Sequence, residues 1–430
     1  MKYAIVGTGG RHQMYRRAVT ETHAKGNALV ALCDVNDKRL ALSVSEAPMQ
    51  PGNGIATYLA ADFDRMLAEQ KPDVVIVTVP DDLHDEYIVR ALHAGCDVMT
   101  EKPMTVNLDK LKRVLDAQRQ TGRKVTVTFN YRYTPARTQI KDLLMAGTIG
   151  EIEAVDFRWY LDRVHGADYF RRWHRNKARS GGLLVHKATH HFDLMNWWLS
   201  STPKTVAANG KRVFYTPETA TRLGLDDHGP RCQGCPAFER CDYRLDLAAD
   251  PQLERLYLDA EDADGYLRDQ CVWSPEISIE DTMQVEATYA NGAFLNYTLC
   301  AYSPWEGLEI TFHGRKGELR HKHIEVHGVF GGTRDDADET MTTTLHLAGE
   351  RPRELDVWSG TGDHGGADPV MLGYLFDPAT MPADRYGRAS GHTEGAWSIL
   401  TGIAANRSIA GGGRVDVDAM LAEAGISLER

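Results

Sequence analysis

Lys2-Tyr3-Ala4-Ile5-Val6-Gly7-Thr8-Gly9-Gly10-Arg11-His12 opens the chain with a short apolar run, a glycine-rich turn and, from Gln13 onward, a helix-like segment. Strand, glycine turn and helix in that order begin an open parallel sheet that can hold a diphosphate at a helix start. Gly7 permits the tight turn, Gly9 lets a pyrophosphate approach the backbone, and the amides around Gly10 face the phosphates. Where a third glycine would let helix and strand pack closely stands His12. Its bulk must push the two apart slightly or demand a local rearrangement, and Arg11 supplies a phosphate contact instead.

Outward from that turn the pattern repeats. Leu29 to Cys33 is an apolar run ending in Asp34, in the range where an acidic side chain hydrogen-bonds the adenosine ribose hydroxyls. A carboxylate there repels a 2'-phosphate, so NAD is expected over NADP, while Lys38 and Arg39 just downstream soften that preference. Pro72 to Pro80 carries β-branched residues on both parities, as a parallel strand covered on both faces requires. It places Thr78 and Pro80 at the strand end, with His84 four residues on. A helix through Tyr87 to His93 stops at Gly95, and Val98 and Met99 lead into Glu101-Lys102-Pro103. One lysine thus stands at a strand end, where open α/β sheets hold their ligands. In a dry cleft beside a cationic nicotinamide, its ammonium loses a proton more readily and can hold and relay the proton of an alcohol. A surface Glu-Lys pair ahead of a helix-starting proline is the competing reading. Leu108 to Thr121, with Asn107 as N-cap, and Lys124 to Phe129 add another helix and strand. The expected fold class is α/β, with a doubly wound parallel sheet over residues 1–128.

Length and charge bound the rest. A chain of 430 residues, 42% hydrophobic and 25% charged, has room for two or three domains and a substantial core. A formal charge of -11 without a basic tract argues against nucleic acid, whose binding relies on clustered Lys and Arg. No basic, apolar signal sequence precedes the first strand and no run of about 20 apolar residues occurs, so a cytoplasmic protein with no membrane partner is expected. In a reducing compartment the seven cysteines serve packing, thiol chemistry or metal binding rather than disulfides.

Gly7-x-Gly9, Asp34, Pro80 with His84, Glu101-Lys102-Pro103, Asn130-Tyr131-Arg132 and Gly147-x-x-Gly150-Glu151-Ile152 together resemble the Gfo/Idh/MocA oxidoreductases. The resemblance spans the first half of the chain and resumes at Asp281. It implies a catalytic or substrate-binding role for Lys102 beside the nicotinamide. It also implies a second, α+β domain over 129–430, whose large open, mostly antiparallel sheet carries the substrate pocket. Family members carry an aspartate, a histidine four residues later and an aspartate three after that; His190 and Asp193 match, and His186 stands in place of the first aspartate. A Trp-Arg pair that lies by the nicotinamide in relatives places Trp173 there too.

Read from the residues, Ser180 to Leu199 is a helix on which His186 and His190 lie one turn apart on one face. His190 is then a general base for an alcohol, with Lys102 polarising the oxygen, and His186 adds a second base. Histidines at this spacing can also chelate zinc, or simply pack. Arg132, Arg171 and His364 are further substrate contacts, by hydrogen bonds to hydroxyls. Phe214 to about Glu276 is a polar insertion holding Cys232, Cys235, Cys241 and Cys271. A structural zinc, with His228 as an alternative fourth ligand, competes there with an iron-sulfur centre and with free thiols or a disulfide. Asn291-Gly292 makes a hairpin turn in a returning antiparallel sheet, one face of which is free for a homo-oligomer, a dimer or tetramer.

These residues give three functions to weigh. One is NAD-dependent transfer of a hydride from a secondary alcohol of a sugar, cyclitol or glycoside. The others are redox-assisted glycoside cleavage with a recycled cofactor, and a non-catalytic NAD or sugar sensor.

Overall fold

The computed structural model describes residues 1–48, 54–325, 339–361 and 363–430. The chain divides into two compact units. The first comprises Met1–Tyr133, Leu247–Arg268 and Thr361–Ala396; the second comprises Thr134–Asp246, Asp269–Gly360 and Trp397–Arg430. Leu247–Arg268, from within the insertion, therefore belongs with the N-terminal sheet, as does Thr361–Ala396.

In the first unit the opening strand β1 (Lys2–Val6) pairs in parallel with β2 (Ala28–Asp34) on one side and β4 (Val74–Val77) on the other. With β3 (Ala56–Leu59), β5 (Asp97–Thr100) and β6 (Val125–Val127), the order is β3-β2-β1-β4-β5-β6, every pair parallel. This is the doubly wound order that places ligands outside the strands' carboxyl ends. All four residues of β4 are buried, as a strand covered on both faces must be, and each such side chain is worth about 2 kcal/mol. The helix Leu108–Thr121 has the boundaries read from the sequence: the Asn107 side chain accepts from the Lys110 amide at 3.0 Å, and Gly122 closes it in the left-handed region. The late helix Asp363–Phe376 joins this unit's core, where Phe376 meets the edge of Tyr3 at 5.2 Å between ring centres.

The second unit is built on a sheet of β7 (Ile152–Asp162), β8 (Pro203–Lys211), β9 (Thr282–Tyr289), β10 (Phe294–Ser303), β11 (Glu306–Gly314), β12 (Gly317–Glu325), β13 (Thr340–Leu347), β14 (Arg353–Leu355) and β15 (Val415–Asp416). Its order is β14-β13-β12-β11-β7-β10-β9-β8-β15, antiparallel throughout except at β7-β10. Asn291-Gly292 forms the expected turn between β9 and β10, with Gly292 at φ +94°. Val155, Phe157, Trp159 and Leu161 alternate onto the buried face of β7. Onto that face packs the helix Thr189–Leu199, whose His191 stacks on Trp159 at 4.1 Å and bonds the Tyr297 hydroxyl at 2.6 Å.

The expected single helix from Ser180 to Leu199 is not formed. Short helices Lys177–Ser180 and Leu183–His186 precede the long one, with Lys187 and Ala188 between. Gly181 and Gly182, both at positive φ, end the first, and Ala188 N turns back to Leu183 O at 2.8 Å. His186 therefore closes a one-turn helix and His190 lies at the start of the next, with Lys187 and Ala188 in the right-handed helical region between them.

Candidate active site

The glycine turn is held by neighbours at the carboxyl edge of the first sheet. Gly7 lies at φ +91°, its amide donates to Cys33 O at 2.8 Å, and a Cβ there would fall 2.7 Å from the backbone of Thr78 and Val79. Thr78 Oγ1 donates to Gly7 O at 2.6 Å and the Thr78 amide bonds Val6 O, so Thr78 fixes the turn rather than only ending a strand. A Cβ on Gly9 would meet nothing closer than the Tyr257 hydroxyl at 4.0 Å, leaving the close approach a pyrophosphate needs. Asp34 takes bonds from Thr8 N, Thr8 Oγ1 (2.9 Å) and Asn36 N (2.9 Å), with Arg39 at 3.4 Å. Its carboxylate thus stands at the end of β2 beside the turn. The cradle and this acid fit a dinucleotide, although the Gly10 amide, expected on a phosphate, donates to the Tyr257 hydroxyl at 3.2 Å.

His12 resolves the missing third glycine by rearrangement. Buried to 1% exposure, its ring reaches Gly9 O through Nδ1 at 2.5 Å and Ser43 Oγ through Nε2 at 2.7 Å, bracing the turn against the helix Asp37–Ser45. Burial pushes its pKa down to about 4. Because the unfolded chain takes a proton near pH 6.5 and the folded one does not, this stabilisation is complete above that value and declines as pH falls toward 4. At pH 5 the loss from this one group is about 2 kcal/mol. Thermal unfolding should register it, with a shallower pH slope in His12→Asn; equal slopes would show that the imidazole does not titrate as described.

Two strands along, Glu101 and Lys102 follow β5. Glu101 Oε1 accepts from Arg11 Nε at 2.6 Å and from the Tyr15 hydroxyl at 2.6 Å. Burial alone would raise its pKa, but the charge of Arg11 and the bonds from Tyr15 and Arg11 outweigh that and hold the carboxyl below its usual range. Arg11, expected on a phosphate, instead faces Glu101 and Asp368, the latter at 3.6 Å. Lys102 is half-buried beside it. His84 is buried with Nδ1 2.7 Å from Pro103 O and Nε2 2.9 Å from Val79 O, so it ties the loop after Pro80 to the lysine's own loop. Arg132, in the same unit, is buried and donates to Gly387 O at 3.4 Å.

In the second unit His186 sits in a cluster of rings. His174 lies 4.1 Å away, Tyr169 at 5.5 Å and Trp173 at 5.7 Å, and Trp173 stacks on His174 at 3.8 Å. Tyr169's hydroxyl is 2.9 Å from His165 Nε2, and His165 Nδ1 is 2.9 Å from Glu306, a fully buried carboxylate that also accepts from the Asp162 amide at 2.7 Å. This Glu306-His165-Tyr169 chain escaped the sequence reading because its members come from β11 and from the helix Arg163–Arg171, 141 positions apart. His190 and Asp193 are buried at the start of the long helix, His190 N donating to Lys187 O at 3.3 Å. Arg171, expected on substrate, is committed elsewhere: it faces Asp168, donates to Tyr243 O at 3.0 Å and lies 3.9 Å from Cys232 Sγ. The His364 side chain lies outside the described residues.

Cys232, Cys235, Cys241 and Cys271 line one cavity of about 20 Å³ together with His228. They are free thiols, with Gly229 N donating to Cys235 Sγ at 3.2 Å, Leu245 N to Cys232 Sγ at 3.3 Å, and Cys271 Sγ 3.4 Å from His228 Nδ1. Among the described residues no group of three or more His, Cys, Asp or Glu side chains is gathered closely enough to hold a metal ion, so the zinc sphere weighed against free thiols is not assembled among them. Nor is any helix among them long and apolar enough to cross a membrane.

Comparison with known proteins returns two family models: "Oxidoreductase family, NAD-binding Rossmann fold" over residues 1–129 and "Oxidoreductase family, C-terminal alpha/beta domain" over 141–417. The chain is 35% identical over 408 residues to the Bacillus subtilis protein named "Putative oxidoreductase YteT", covering 92% of this chain and 93% of that one. It is 26% identical over 227 residues to D-glucoside 3-dehydrogenase of Escherichia coli, covering 52% and 61% respectively. Among solved structures, the WlbA dehydrogenase of Bordetella pertussis, determined with NADH and UDP-GlcNAcA, shares the fold at a TM-score of 0.64 and 18% identity, covering 97% and 98%.

Proposed function

The chain belongs to the Gfo/Idh/MocA oxidoreductases, and from that membership we propose that it is an NAD-linked dehydrogenase of a secondary alcohol on a sugar, cyclitol or glycoside. What carries this reading is the carboxyl edge of the first sheet, where Asp34, the glycine turn, Thr78 and Glu101-Lys102 follow the ends of four neighbouring strands. Relatives named D-glucoside 3-dehydrogenase and inositol 2-dehydrogenase support a polyhydroxylated substrate. Nicotinamide, when bound, supplies the hydride acceptor. Lys102 binds and polarises the substrate oxygen and relays its hydroxyl proton as the carbon becomes a carbonyl. Glu101, kept anionic by Arg11 and Tyr15, fixes the backbone from which Lys102 projects.

A second reading draws on the His186, His174 and Tyr169 cluster, which offers bases beyond the one an oxidation needs. Transient oxidation to a ketone would acidify the neighbouring C-H. A base would take that proton, the glycosidic group would leave as an alcohol after taking up a proton, and the hydride removed in the first step would return to the carbonyl. Incubation with NAD and a panel of sugars and aryl glycosides, following NADH absorbance and aglycone release together, separates the two. NADH without cleavage is expected; cleavage without net NADH would favour the second reading, and neither product from any member of the panel would contradict both.

A further inference from the structure

We propose that Asp264, assisted by Asp262, sets cofactor selectivity by neutralising the cations that follow Asp34, and so closes the adenosine end of the site to a ribose 2'-phosphate. The proposal rests on the NAD reading above. Arg39 and Lys38 follow Asp34 closely, and positive charge there is what would welcome a 2'-phosphate. Both cations are already engaged by one segment more than 200 residues away in sequence.

Arg39 Nη2 bonds Asp264 and lies 3.4 Å from Asp34 Oδ1, with all three side chains at most 11% exposed. One guanidinium thus serves two carboxylates, and the local balance is negative. Lys38 Nζ meets Asp262 at 2.6 Å and Asp259 O at 2.9 Å, but these side chains are 47% and 72% exposed and the pair carries less weight. The same segment is seated on the dinucleotide edge. The Gly10 amide donates to the Tyr257 hydroxyl at 3.2 Å, Asn36 Nδ2 donates to Ala260 O at 2.8 Å, and Gln252 Nε2 donates to Gln13 Oε1 at 2.7 Å. A phosphate dianion entering beside Arg39 would face Asp34 and Asp264 together.

The test is calorimetric titration of the full-length protein with two cofactor fragments, ADP and 2',5'-ADP. The native protein should prefer ADP. Asp264→Asn, which keeps the shape and removes the charge, should gain about tenfold in affinity for 2',5'-ADP, with ADP affinity unchanged within about twofold. Asp262→Asn should add little, and Asp264→Glu should restore the native preference. Equal weakening of both ligands in Asp264→Asn would mean that the carboxylate only holds the segment in place, and an unchanged ratio would mean that it plays no part. Either result overturns the proposal while leaving the NAD reading intact. A native protein that prefers 2',5'-ADP would overturn both, before any variant is made.

Discussion

Lys102→Met should leave NAD binding within about twofold of the native protein while turnover falls about a thousandfold. Methionine preserves the length and most of the apolar stem but can neither hold a hydroxyl by charge nor relay its proton. The cradle does not depend on the removed amine. Glu101 is held by Arg11 Nε and Tyr15, its Oε2 accepts from the Lys102 main-chain amide at 3.3 Å, and Gly7, Thr78 and Asp34 are fixed by their own bonds. Titration with NAD beside single-turnover measurement of NADH separates binding from chemistry. Retained turnover would remove Lys102 from the reaction, and lost NAD binding would make it part of the cradle.

Gly7→Ala should unfold the first unit more readily by about 4 kcal/mol and abolish cofactor binding. Two effects add: a φ of +91°, which costs a residue with a side chain about 1–3 kcal/mol, and a methyl 2.7 Å from the Thr78 and Val79 backbone, which cannot move without breaking β4 from β1. Gly9→Ala is the contrasting case. Its methyl would reach only the Tyr257 hydroxyl, so the melting temperature should hold while the pyrophosphate is excluded and NAD affinity drops. Thermal unfolding and NAD titration of both variants check this. Equal melting temperatures for Gly7→Ala and the native protein would show that the turn tolerates a side chain.

Those predictions draw on features that were legible before any coordinates, because they are local. Strand, glycine turn and acid lie within 34 residues, the β4 run declares its burial by composition, and Asn107 and Asn291-Gly292 carry their own backbone chemistry. What escaped reading depends on distant pairing or on a local break. Asp259 to Asp264 is an acidic stretch whose only visible hint was charge opposite to Lys38-Arg39; nothing local says that it folds back onto the N-terminal sheet. Periodicity carried one helix from Ser180 through Lys187-Ala188, although Gly181-Gly182 marked a break, and short helices stand before the long one instead. Arg171 was read as a pocket residue by composition alone and is held instead by Asp168 and the Tyr243 carbonyl.

We propose that this chain moves a hydride from a carbon of a polyhydroxylated substrate to nicotinamide. This transfer is tested most directly by supplying NAD and sugars deuterated at their secondary carbinol carbons, quenching with acid during turnover, and weighing the recovered cofactor. A reduced cofactor heavier by one deuterium is predicted with at least one sugar of the panel. Reduced cofactor without the label, or substrate consumed while the cofactor stays oxidised at every time point, would contradict it.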